Sequence, residues 1–172
     1  MINMESSKEA LLEAVAKLQE KKDLAAAVGP DWYEPGRMQN LDQYLGQFDE
    51  SSRAVTIRTE SKGLRYDERT PRLDYLSVGD PVRLVREPGN PFNANNIRIL
   101  SENGEDLGNL SAQLCNVIAP LWDAGALAIC SARVSYLERI RDRSRYARQG
   151  VLFVEISMEL KETGGYNEQG QI

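Results

Sequence analysis

Residues 81–100 read Pro81-Val-Arg-Leu-Val-Arg-Glu-Pro-Gly-Asn-Pro-Phe-Asn-Ala-Asn-Asn-Ile-Arg-Ile-Leu100. An apolar run, Pro81–Val85, ends where a polar stretch begins, and a second apolar run starts at Ile97. Between them, Arg86–Ile97 holds four Asn, two Pro, one Gly and a single aromatic, Phe92. Two short strands joined by a long turn is the direct reading, because Asn, Pro and Gly each favour turn backbone for their own reason. One ring inside so polar a turn raises a second reading, that the turn is a binding site.

The neighbouring elements follow from periodicity and punctuation. Toward the N-terminus, Ala54–Thr59 alternates and is β-branched, which predicts a strand. Residues 60–77 read as irregular. Toward the C-terminus, Asn103-Gly104 predicts a hairpin that folds 105–109 back onto 96–101. Ser111 then caps a helix whose Leu114, Val117, Ile118 and Leu121 share a face, ending near Gly125. Residues 126–137 and 151–160 form a pair of long strands. At the start of the chain, a capping box at Ser6-Ser7-Lys8-Glu9 and the stripe Leu11, Ala14, Val15, Leu18 predict a helix over 7–27, stopped by Gly29-Pro30. Trp32-Tyr33 anchors the loop that follows. Asn40-x-x-Gln43 with Leu41, Tyr44, Leu45 and Phe48 predicts a second, short helix over 40–49. The organisation expected is an N-terminal helical segment, 1–50, a curled β domain with one embedded helix, 51–161, and a flexible tail, 162–172.

The chain has 172 residues and a net charge of −5, unevenly spread. Residues 1–50 carry 5 basic and 10 acidic residues, and 51–161 carry 16 basic and 14 acidic. A mildly basic middle between acidic ends leaves room for a local anion-binding patch, which overall charge does not predict. There is no histidine, which removes the commonest general base and most catalytic zinc sites. Cys115 and Cys130 belong to no CxxC pair and sit in apolar segments, so both are expected as buried, reduced thiols. No run approaches the roughly 20 apolar residues of a membrane span, and residues 1–15 lack the pattern of a signal peptide. A cytoplasmic location, no cofactor and no metal are the expectation.

Gly79-Asp-Pro-Val-Arg-Leu-Val-Arg-Glu-Pro-Gly-Asn-Pro-Phe-Asn-Ala-Asn-Asn-Ile97 resembles the signature of the HIRAN domain, G-D-x-V-x-L-x-R-E-P-x-N-P-Y-D-x-N-A-I. Asn103-Gly-Glu-Asp-Leu-Gly-Asn-Leu110 resembles the hairpin that follows it in that family. The resemblance covers roughly 54–135 and leaves 1–50 without a counterpart. It implies an α+β protein whose β part is a small OB-like barrel. It also implies a non-enzymatic nucleic-acid-binding module, since in the eukaryotic fork-remodelling members the domain captures the 3′-hydroxyl end of single-stranded DNA.

Carried over residue by residue, the resemblance implies a pocket built from two turns. Asn90 matches the family's Asn before Pro. Phe92 stands where the family has Tyr, keeping a stacking surface and losing a hydroxyl. Asn93 stands where it has Asp, replacing a charged acceptor with an amide. Asn109 stands where some DNA-binding members have His, and Ala112 near where they have Lys. Gly63-Leu64-Arg65-Tyr66 looks like the family's G-L-R-Y segment, which places Arg65 and Tyr66 on the DNA.

A second candidate is independent of the resemblance. Arg139, Arg141, Arg143, Arg145 and Arg148 fall in one ten-residue window with only Asp142 opposing. On a hairpin loop they would track a phosphate backbone, with Tyr146 available for stacking. The bland alternative is a solvated loop whose arginines pair with Glu138, Asp142 or the acidic helices. The acidic 1–50 segment lying on this basic surface would be autoinhibitory. Glu159-Leu-Lys161 with Asp142 matches a nuclease motif only in three common residue types. Glu102, Glu105 and Asp106 are expected to solubilise their turn rather than hold a cation. The alternative function is an interaction module that has lost DNA-end binding and docks a partner, or a second copy, through the apolar stripe of 7–27.

Overall fold

Asn3 starts the first helix. Its side-chain oxygen accepts the Ser6 N–H at 3.1 Å and its carbonyl accepts the Ser7 N–H at 3.0 Å. The cap therefore lies three residues before the expected box, and α1 spans Met4–Val28. The computed structural model describes residues 2–28, 43–143 and 147–163. Leu11, Ala14, Val15 and Leu18 are all buried and share one core with Val55, Ile57, Ile118 and Ile156 of the β domain. Burying Leu11 completely contributes about 2 kcal/mol before the cost of ordering it. The stripe is thus core, and it is not free to dock a partner.

The short helix expected over 40–49 is a strand. β1, Leu45–Asp49, pairs antiparallel with β2, Ala54–Glu60, from Leu45↔Arg58 to Asp49↔Ala54. Leu41, Tyr44, Leu45 and Phe48 do fall at helical spacing, but the segment pairs with β2 and becomes the edge strand of its sheet. Residues 40–42 of that expectation, and the Trp32-Tyr33 anchor, lie outside the described residues.

β2 alternates as expected, with Val55, Ile57 and Thr59 facing in. Residues 60–77, expected to be irregular, include a short helix α2, Arg69–Arg72, continued by a 3-10 turn at Leu73–Tyr75. β3 (Val82–Arg86), β4 (Ile97–Ser101) and β5 (Asp106–Asn109) form a three-stranded meander. Ser111 accepts the Leu114 N–H and caps α3, Ala112–Asp123. β6 (Leu127–Glu138) and β7 (Val151–Leu160) complete a four-stranded sheet in the order β1-β2-β7-β6. A 3-10 turn at Ile140–Asp142 follows β6.

Two single-residue seams join the sheets. Lys62 bridges Asn109, linking the end of β2 to β5, and Pro81 bridges Arg133, linking β3 to β6. The second seam is reinforced where the Val134 N–H donates to the Asp80 carbonyl and the Gly79 N–H donates to the Val134 carbonyl, both at 2.8 Å. The circuit β2-β7-β6-β3-β4-β5 therefore returns on itself without continuous ladders at the joins, an OB-like plan with α3 embedded between β5 and β6. Phe153 of β7 sits at its centre, edge-on to Tyr44 at 5.5 Å and to Tyr136 at 6.4 Å. Thr163, from the stretch expected as tail, pairs with Ile2.

One cysteine departs from expectation. Cys115 on α3 is buried, and burial pushes its thiol upward. Cys130 is exposed on β6, in a strand segment whose Ser131 and neighbours face outward. Both are free thiols. Among the described residues, no helix is long and apolar enough to cross a membrane.

Candidate nucleic-acid interface

The Asn-rich turn between β3 and β4 is bonded almost entirely to itself. Asn90 Oδ1 accepts the backbone N–H groups of Phe92 (2.9 Å) and Asn93 (3.1 Å). Asn93 Oδ1 accepts the Asn95 N–H at 2.9 Å. The amides of Asn93 and Asn95 both donate to Asn116 Oδ1 on α3 at 3.2 Å. Asn96 and Asn90 donate to Glu87 at 2.7 and 3.3 Å. These bonds hold the loop in one shape and leave its ring outside, for Phe92 is 95% exposed.

Glu87 is the hub that connects this turn to the rest of the surface. Arg98, on the outward face of β4, donates to both Glu87 oxygens at 3.1 and 3.2 Å. That guanidinium, with Asn96 and Asn90 donating beside it, holds the Glu87 carboxyl below the usual range despite its partial burial. Arg98 also donates to Asn109 Oδ1 at 3.3 Å and reaches Asp106 at 3.5 Å. Burial pushes Asp106 upward, but donors from Arg69, the Gly108 N–H and Arg98 outweigh it and its carboxyl is lowered. Asp106 is therefore an internal counter-ion rather than a solvating group.

Arg69 carries the network to the second turn. Its side chain is 8% exposed and donates to Asp106 at 2.9 Å and to the Gly63 carbonyl at 2.9 Å. Gly63 has φ +85°, a left-handed backbone that favours glycine, and a Cβ there would press on Arg69 Nη1 at 2.7 Å. Arg65 and Tyr66 follow, both exposed, with the guanidinium carbon 5.2 Å from the ring centroid. Asp67 and Glu68 close the turn in left-handed backbone at φ 54° and 59°. A continuous polar chain, Asn90–Glu87–Arg98–Asp106–Arg69–Gly63, thus fixes the two turns relative to each other. Arg65 and Tyr66 stay exposed on one turn, beside exposed Asp67 and Glu68, and Phe92 stays exposed on the other.

The arginine loop differs from its expected form. Arg139 donates to the Leu76 carbonyl at 2.7 Å and lies 3.9 Å from Asp74. Arg143 donates to the Gln149 carbonyl at 3.0 Å and pairs with buried Glu138 at 3.4 Å, which also accepts from the Tyr136 hydroxyl. These two fold inward and do not project into solvent. Arg141 is exposed, 3.5 Å from Asp74, and Arg148 is exposed beside Arg65, the pair lining a cleft of about 460 Å3. Among the described residues, the loop's arginines meet Asp74 and Glu138. Arg145 and Tyr146 lie outside the described residues.

Sequence reasoning missed Glu87, Arg98, Asp106 and Arg69 as the frame of the site. Arg98 was visible only as the charged residue between Ile97 and Ile99 on an alternating strand, a position that ordinarily faces water.

The OB-like β domain presents two braced turns, each with an exposed aromatic ring, Tyr66 on one and Phe92 on the other. The HIRAN domain model matches residues 55–149, more than half of the chain, and the protein belongs to that family. Among solved structures it is similar to the crystal structure of the HIRAN domain of human HLTF, at 21% identity and TM-score 0.42, over 60% of this chain and 76% of that one. It is also similar to a protein from Lactobacillus plantarum, at 25% identity and TM-score 0.47, over 60% of this chain and 95% of that one. The third is the NMR structure of the HLTF HIRAN domain described as in its DNA-bound conformation, at 22% identity and TM-score 0.41, over 62% of this chain and 76% of that one. The family assignment rests on the sequence model. No curated protein matches the chain.

Proposed function

We propose that this protein is a non-enzymatic nucleic-acid-binding module that takes single-stranded DNA at its 3′ end. Family membership supplies the class of ligand. The observation that carries the reading to this chain is Phe92, a ring held in water on a loop braced by at least seven hydrogen bonds. Leaving a Phe exposed forgoes about 2 kcal/mol relative to burying it. A rigid loop that accepts this loss offers a preorganised stacking surface, which any base can use. Arg65 and Tyr66 supply a cation and a second ring. Among the described residues of the arginine loop, Arg141 and Arg148 are exposed and suited to phosphates. Arg139, Arg143, Asn90, Asn93 and Asn109 serve by holding these groups in place, because their polar atoms are engaged within the protein.

The test is fluorescence anisotropy of a labelled strand ending in a 3′-hydroxyl or a 3′-phosphate, at two salt concentrations. Tighter binding of the hydroxyl end is expected, weakened by Phe92→Ala about 5- to 150-fold, the range for one lost base stack. Equal affinity for both ends, collapsing with salt and indifferent to Phe92→Ala, would move binding to the arginines and remove end recognition. Absence of binding to either strand would refute the reading.

A further inference from the structure

The backbone of the Asn-rich turn fixes which atom of each surrounding amide is oxygen. An N–H group only donates, so the atoms of Asn90 and Asn93 that meet N–H groups are their oxygens. Asn93 therefore turns its nitrogen to α3, and the Asn116 atom that receives it at 3.2 Å is oxygen. The same oxygen receives Asn95 Nδ2, also at 3.2 Å, which orients the Asn95 amide in turn. A lone surface amide can rotate and present either atom to water. In this interlocked set two atoms remain, and their identities are known. Among the described residues, Asn95 Oδ1 accepts from no group and Asn116 Nδ2 donates to none. Asn95 is half-buried and Asn116 is exposed, so both stay within reach of a ligand.

One free acceptor and one free donor, on side chains already bonded to each other, suit a group that both donates and accepts. A hydroxyl is such a group. At neutral pH a terminal phosphate offers chiefly acceptor oxygens, which would leave Asn95 Oδ1 facing another acceptor. We infer that Asn95 and Asn116 read the terminal hydroxyl of a strand stacked on Phe92: the hydroxyl donates to Asn95 Oδ1 and accepts from Asn116 Nδ2. This rests on the reading above and deepens it. Asn93 already accepts the Asn95 N–H and donates to Asn116, so its part is to orient the pair. Recognition then draws on the turn and on α3 together, through two neutral amides.

A strand labelled at its 5′ end and finished with either a 3′-hydroxyl or a 3′-deoxy sugar tests the pair. The deoxy end is uncharged and lacks only the hydroxyl. Both strands are titrated by anisotropy against the full chain, Asn95→Leu and Asn116→Leu. The unsubstituted protein should prefer the hydroxyl end by about fivefold, the scale of one or two neutral hydrogen bonds. That ratio should not change with salt, because a neutral contact releases no counterion. Each Leu variant should bring it below about twofold. A substitution that merely loosened the turn would weaken both strands alike and leave the ratio intact. A ratio that survives in either variant overturns the pairing and leaves end recognition standing. A protein that prefers hydroxyl to phosphate but not to the deoxy end senses charge alone, and the inference fails while the preference among ends remains. Absence of binding to any of these strands refutes the reading on which the inference rests.

Discussion

The Asn-rich turn and the arginine loop are both dense in hydrogen-bonding side chains, and they spend them in opposite directions. In the turn, Asn90 and Asn93 bond chiefly to their own backbone, and the apolar ring is what remains outside. In the loop, Arg139 and Arg143 reach across to other elements, to the Leu76 carbonyl and Glu138, and the remaining charges at Arg141 and Arg148 stay outside. Richness in polar residues did not distinguish the two. What differs is the group left over once local demands are met, a ring in one case and guanidiniums in the other.

That contrast can be broken most directly at Arg143. Replacing it with Ala removes a charged partner of buried Glu138 and a donor to the Gln149 carbonyl, and should cost about 2–3 kcal/mol in urea unfolding. Arg148→Ala should leave stability within about 0.5 kcal/mol while weakening strand binding in a salt-dependent way. Equal stability losses would mean the loop does not divide its arginines as described. In the turn, Asn90→Ala deprives two backbone N–H groups of their acceptor and should cost about 1–2 kcal/mol, as loss of a helix cap does. Phe92→Ala should change stability by less than about 0.5 kcal/mol, so that its effect falls on binding alone. The smallest effect is on acid stability. Glu87 and Asp106 have folded-state values below their ordinary 4.5 and 3.8, so their contribution is complete above those values and is lost as pH falls through the depressed ones. Glu87→Gln should lower stability at neutral pH and flatten the loss seen below about pH 4, measured as midpoint against pH.

How far the sequence could be read depended on whether a feature was local. The strands from β2 onward, the Asn103-Gly104 hairpin and the Ser111 cap are each set by neighbours in the chain, and each was legible. β1 was not, because Leu41, Tyr44, Leu45 and Phe48 satisfy a helical period, and only the presence of β2 beside them decides for a strand. The proposed site divides the same way. Phe92, Asn90 and the 63–66 turn could be picked out, from a ring in a polar turn and from the family signature. The Glu87–Arg98–Asp106–Arg69 frame joins three separate stretches, and nothing in any one of them names its partners. Cys130 was misplaced because an apolar segment was taken to face inward throughout, whereas β6 turns outward there.

The family match ends at residue 149, and β7 begins at Val151. β7 is the middle strand of its sheet, paired to β2 along one side and to β6 along the other. A fragment cut at 55 and 149 would therefore leave β2 and β6 with raw backbone edges and the core without Phe153. Such edges recruit strands from other molecules. The stretch by which kinship is recognised is shorter than the stretch that can fold, and a shortened clone designed on the former would be expected to aggregate whatever its affinity for DNA.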